Sequence, residues 1–157
     1  MNALILYRIG HQLWEWGMPW FPRFIDKLVV LLCRCVVPSR CVIGEGTELG
    51  YGGIAVVLHE RVRIGKNVMI GPCVTLGGRS GIVGVPVIGD DVFIGTGAKV
   101  LGDVRIGNRA VIGANAVVLQ SVPDDAVVAG VPAKIIRLQV RDPEKRPVEM
   151  LSVMQAE

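Results

Sequence analysis

The chain has 157 residues, a formal net charge of +3, 51% apolar residues and only 5% aromatic ones. That length supports one domain with a real core, and the shortage of aromatics makes it a core of small aliphatic side chains. The charge is too small, and the basic residues too scattered, for a nucleic-acid surface, although a few exposed cations could still serve a small phosphorylated ligand.

The start, "MNALILYRIGHQLWEWG", lacks the basic stretch and the cleavage pattern of a signal peptide. Trp14, Trp16, Trp20, Phe21 and Phe24 gather ahead of the apolar run "LVVLLCRCVV", residues 28–37. That run is about half the length needed to span a bilayer, and it carries Arg34. Residues 1–40 therefore read as a short helical segment with two possible roles. It covers the open end of the domain and makes contacts between copies, which is the favoured role, or it seats the chain peripherally on a membrane. Cys33, Cys35, Cys41 and Cys73 have neither zinc-site nor disulfide-framework spacing and read as reduced, structural thiols of a cytoplasmic protein.

From residue 41 onward the sequence repeats every six residues. Stepping from Ile64 reaches Ile70, Leu76, Ile82, Ile88, Ile94, Val100, Ile106, Ile112 and Val118, with Gly after most of them and a small or β-branched residue four places on. Neither a period of 3.6 nor one of two explains this. A period of six does, if each hexad is a short strand plus a corner and three hexads close a triangular coil. The aliphatic residue then points inward, and Gly is expected to supply corner backbone angles that a side chain would resist. The fold class is thus all-β, a parallel β-helix over residues 41–137. Residues 138–157, charged and broken by Pro143 and Pro147, read as a tail with a short helix after Pro147.

The beat fails twice. Between Leu49 and Leu58 three extra residues must be absorbed in "YGGIAVV", with Tyr51-Gly52-Gly53 the evident place. His59 then occupies the slot of a corner Gly and should face outward. In "GGRSGIVGVPVI", Gly84 and Pro86 interrupt the strand and Val83 replaces the corner Gly, so residues 78–86 read as a loop leaving the prism.

The repeat "IGKNVM IGPCVT", the stretches "VTLGG" and "IGTGAKVLGDVRIG", and the closing "VPDDAVVAGVPAKIIR" resemble the hexapeptide-repeat acyltransferases, most closely serine acetyltransferases and related sugar O-acetyltransferases. The resemblance implies a left-handed coil, a homotrimer with active sites between neighbouring prisms, and transfer of acetyl from acetyl-CoA, without a metal, to the hydroxyl of a small acceptor. Lined up on "VTLGG", the position of the serine enzymes' base holds Gly52, and the Arg-His pair of their loop becomes Gly84-Val85. Those departures weaken serine as acceptor more than they weaken acetyl transfer. A second subgroup, associated with sugar and polysaccharide modification, matches His59.

His59 is accordingly the candidate general base, since a neutral imidazole suits removal of a hydroxyl proton. Gly77 or Gly78 could offer backbone N–H groups to the oxyanion, and Glu60, Glu45 or Glu48 could orient the ring. By resemblance, Gly78, Thr96, Ala114 and Lys134 bind acetyl-CoA, with Thr96 and Ala114 on the pantetheine arm and Lys134 at the phosphates. His11 reads as structural. Two rival classes remain: a zinc carbonic anhydrase, which needs three histidines per site where this chain has two, and a non-catalytic trimeric scaffold.

Overall fold

The computed structural model describes residues 2–18 and 20–138. The expected tail helix after Pro147 lies outside the described residues.

Two helices open the chain. Helix α1 (Ala3–Glu15) is capped by Asn2, whose side chain accepts the Leu4 N–H at 3.0 Å. Helix α2 (Trp20–Cys33) packs against it. Four coils of three short strands follow. The first holds β1 (Val42–Ile43), β2 (Glu48–Leu49) and β3 (Val57–Leu58). The second holds β4 (Arg63–Ile64), β5 (Met69–Ile70) and β6 (Thr75–Gly77). The third holds β7 (Val87–Ile88), β8 (Phe93–Ile94) and β9 (Lys99–Leu101). The fourth holds β10 (Arg105–Ile106), β11 (Val111–Ile112) and β12 (Val117–Val118). Strands β13 (Ala126–Gly130) and β14 (Ala133–Leu138) finish the domain.

Strands of equal rank stack into three parallel sheets, the faces of a prism: β1-β4-β7-β10 on the first face, β2-β5-β8-β11-β13 on the second and β3-β6-β9-β12 on the third. β14 then turns back antiparallel along β13. In each strand of the four coils the second residue is an inward one, so Ile43, Ile64, Ile88 and Ile106 form one buried ladder down the first face, and the small residues four places on fill the space between ladders. Sequence period and coil geometry thus demand the same residues.

The coils are not equal in length. Ile43 pairs with Ile64, three positions more than a regular coil, and the surplus is taken up by a tight helical turn at Gly50–Gly53, where Tyr51 and Gly52 both adopt positive φ. Ile64 pairs with Ile88, six positions more, so one whole hexad leaves the prism. That hexad contains Ile82, which is 41% exposed and no rung of the ladder, contrary to the simple count by sixes. The excursion is a tight turn in which Arg79 and Ile82 bridge each other, and Ile82 N–H bonds Arg79 C=O at 3.0 Å. The last coil is two positions short: Val122 bridges Ile106.

The glycines that follow the inward aliphatics do not serve as expected. Gly65, Gly71, Gly89, Gly95, Gly107 and Gly113 have no positive φ; the left-handed residue of each corner comes two places later, at Asn67, Cys73, Asp91, Gly97, Arg109 and Asn115. Asn and Asp accept that conformation more readily than most residues. What excludes a side chain at the glycines is the next coil: a Cβ on Gly95 would stand 2.6 Å from the Ala114 nitrogen, and one on Gly71 2.7 Å from that of Thr96.

The open end of the prism is covered by Ala3, Leu4 and Tyr7 of α1 and Val29 of α2, all buried, with the Tyr7 hydroxyl donating to Cys41 C=O at 2.8 Å. The aromatics singled out in the sequence do not do this: Trp16, Trp20, Phe21 and Phe24 are exposed. No helix among the described residues is long and apolar enough to cross a membrane. Cys33, Cys35 and Cys41 are buried free thiols, whereas Cys73 sits exposed at a corner.

Candidate active site

Two prism edges carry the residues of interest, and the third face lies between them. One edge is the corner where β3 hands over to β4. His59 follows the inward Leu58 there, half-buried and outside the core, and its own N–H bonds Leu76 C=O at 2.9 Å. That bond places His59 one coil above Gly77, and Gly78 comes next, exposed, with open space where a Cβ would project. The excursion 78–86 leaves from this same edge. The Gly78 N–H has no partner among the described residues and remains able to donate.

The His59 ring is held locally. Its Nδ1 accepts the backbone N–H of Arg61 at 3.1 Å, which leaves the proton of the neutral ring on Nε2. None of the three candidate carboxylates orients it. Glu60 pairs with Arg40 at 3.2 Å, while Glu48 lies on the second face beside Met69, and Glu45 belongs to the corner between the first and second faces, where its C=O accepts from Asn67. His11 is tied into the helical cap: Nδ1–H donates to Ser39 C=O at 2.7 Å, and the ring stacks on Tyr7.

The other edge is the corner between the second and third faces. Thr96 and Ala114 stand in one column there, in successive coils, both exposed; the Asn115 N–H bonds Thr96 C=O at 2.8 Å. Their own N–H groups have no partner among the described residues. Pro72 occupies the same slot one coil above. The column continues toward the far end of the prism at Gly130, and Lys134, exposed on β14, pairs with Ala129 next to it. Lys99, which the sequence did not single out, fixes this edge from the third face by donating its Nζ to Cys73 C=O at 2.7 Å and Gly97 C=O at 2.9 Å.

Sequence reasoning also missed a groove of about 550 Å³ on the first-face side of the His59 corner. Trp14, Arg40, Glu60, Arg61 and Arg63 line it, together with Gly84 and Val85 of the excursion. The Arg40 guanidinium lies 4.4 Å above the Trp14 ring. Arg61 Nη2 donates to Val83 C=O at 2.8 Å and so pins the excursion to the corner. The alternation in "HERVR" was the available signal; Trp14 and Arg40, distant in the sequence, gave none. Among the described residues no three His, Cys, Asp or Glu side chains converge as a metal site would.

Comparison with known proteins agrees with this architecture. A family model described as "Bacterial transferase hexapeptide (six repeats)" matches residues 86–120. The chain is 34% identical to a serine acetyltransferase of Synechococcus elongatus, over 96% of this chain and 66% of that protein. It is 40% identical to the serine acetyltransferase of Escherichia coli K12, over 86% of this chain and 50% of the relative. Among solved structures, the Brucella abortus serine acetyltransferase in complex with coenzyme A superposes with a TM-score of 0.84 at 33% identity, over 89% of this chain and 56% of the other. A serine acetyltransferase in complex with cysteine gives 0.83 at 33% identity, over 95% and 57%. The chain spans between about half and two thirds of the length of these relatives. With its coiled hexads, its corner glycines in contact from coil to coil and these likenesses across nearly its whole described length, the chain belongs to the hexapeptide-repeat transferases.

Proposed function

We propose that the protein is an acetyl-CoA-dependent O-acetyltransferase in which His59 is the general base. The observation that carries this is the placement of unpartnered backbone N–H groups at two edges of one face: Gly78 beside the imidazole, and Thr96 and Ala114 in a column across the face. Such donors suit the amide carbonyls of a pantetheine arm and the oxygen that becomes negative as a thioester is attacked. Lys134, beside the far end of that column, suits the phosphates. Because the edges are separated by the third face, a homotrimer in which the His59 edge of one chain meets the Thr96 edge of the next completes the site. Names of relatives and of their ligands support acetyl-CoA as donor and serine as one acceptor; the bare Gly84-Val85 wall favours a larger one, such as a sugar.

In the reaction, the acceptor oxygen attacks the thioester carbon while its proton passes to the imidazole. The tetrahedral oxyanion is held by the N–H of Gly78, and its collapse expels the thiolate of coenzyme A, which takes the proton back from the imidazolium. The resting ring carries its proton on Nε2 and engages Nδ1 with Arg61, so taking the acceptor's proton requires the ring to turn and free Nδ1. The exposed Trp16, Trp20, Phe21 and Phe24, with Arg23 and Lys27 beside them, support a peripheral membrane contact through the N-terminal segment.

The test is thiol release from acetyl-CoA with serine, simple sugars and nucleotide sugars. His59→Ala should lower turnover by roughly 10²-fold or more while coenzyme A binding and the trimer persist. An unchanged rate removes His59 from the mechanism, and no thiol release with any acceptor leaves a scaffold.

A further inference from the structure

We infer that the groove beside His59 is the acceptor subsite, and that it takes a sugar bearing a phosphoryl group in place of a free amino acid. The inference rests on the acetyltransferase reading above for its reaction, and on the groove alone for its ligand.

Three arginines and one glutamate line this groove, an excess of positive charge in a chain that otherwise scatters its cations. The three are not equivalent. Arg40 is committed to Glu60 and to the face of Trp14. Arg61 spends one nitrogen on Val83 C=O and keeps the others. Arg63 has no side-chain partner among the described residues, although it lies in the sheet with Val42 above it and Val87 below. A planar guanidinium fixed at its base but free at its donors is the group best shaped for two phosphoryl oxygens.

The rest of the groove suits a sugar. Val42, Val62, Val85 and Trp14 also line it, so an apolar surface lies beside the cations. At about 550 Å³ it falls within the range of sites for drug-sized ligands and far exceeds what serine would fill. Gly84 keeps one wall bare, and a Cβ there would collide with the side chain of Asp103. The lining includes Glu60, the residue directly after His59, so a ligand seated on Arg61 and Arg63 lies beside the imidazole corner.

The phosphoryl group can come from a nucleoside diphosphate sugar or from a sugar monophosphate, the simplest stand-in for a lipid-linked acceptor. Binding should be measured by calorimetry on full-length His59→Ala protein, so that failure of acetyl transfer leaves this reading untouched. The probes are uridine diphosphate glucose, glucose 1-phosphate, glucose and serine. At least one phosphorylated probe should bind about tenfold or more tightly than glucose and serine, weaken as salt is raised, and lose that preference in Arg63→Gln and Arg61→Gln. In the enzyme with His59 intact, Arg63→Gln should raise KM for the same acceptor and leave kcat close to its original value. Equal binding of glucose and its phosphate, or a preference that survives both substitutions, overturns the inference. Which phosphorylated probe binds more tightly identifies the source of the phosphoryl group.

Discussion

The carboxylate of Asp26 holds Ser39 twice, accepting its backbone N–H at 2.8 Å and its hydroxyl at 2.6 Å. Ser39 is completely buried at the entrance to the first coil, so this pair is the polar rivet between the helices and the prism. Asp26→Ala removes two charge-assisted hydrogen bonds and leaves a buried hydroxyl without an acceptor. The expected loss is about 2–4 kcal/mol of unfolding free energy, read from urea denaturation. A loss below about 0.5 kcal/mol would mean that the cap contributes nothing to the cooperative unit.

The corner glycines divide into those pressed by the neighbouring coil and those that are not. Gly95→Ala should destabilise the fold by roughly 1–3 kcal/mol, because the added methyl collides with backbone at Ala114 and the coils must separate. Gly78→Ala, with open space around the new Cβ, should stay within about 0.5 kcal/mol of the parent. Thermal denaturation of the two variants side by side checks the contrast.

Pro72 shows that the slot shared with Thr96 and Ala114 accepts an imino acid. Thr96→Pro and Ala114→Pro therefore delete one N–H each at positions whose backbone tolerates the ring. Each should keep the fold and raise KM for acetyl-CoA by roughly 2–10-fold, the worth of one hydrogen bond. Unchanged KM in both variants would take the pantetheine arm off this edge.

Burial pushes the Cys35 thiol up to about 11 and the Cys41 thiol up to about 12, and it raises the Tyr7 hydroxyl as well. These groups hold their protons in the folded chain at pH values where the unfolded chain has released them. Stability is therefore full below about pH 9 and falls as pH rises from there toward 12, since the unfolded state then binds fewer protons. Denaturation midpoints across that window should decline steadily. At neutral pH a thiol reagent should label the exposed Cys73 alone among these four cysteines, and mass spectrometry of the native protein would show it.

The prism was legible because its rule is local: a residue such as Ile94 is inward whatever happens elsewhere in the chain. The extra residues before Leu58 and the excursion after Gly77 were legible as breaks in that rule. Ile82 was misplaced for the opposite reason, since a hexad that keeps the spacing but leaves the wall cannot be told from one that stays. The corner glycines were identified correctly but explained wrongly. Their constraint is a contact with the next coil, which no single hexad displays. Glu60 was a plausible partner for His59 by adjacency, but Arg40 reaches it from the coil above. The groove was least visible of all, because it joins Trp14 on a helix to Arg63 on a strand.

Strand β14 reverses direction against β13, with an irregularity in the register between Val127 and Val128. Every other neighbour in that sheet runs parallel and presents an edge on which one more coil could be laid. An antiparallel final strand offers the wrong polarity for that addition, and the helices close the opposite end. A solenoid left open at both ends would be a template for fibres. Here, on the second face, the chain turns back on itself and withholds that edge.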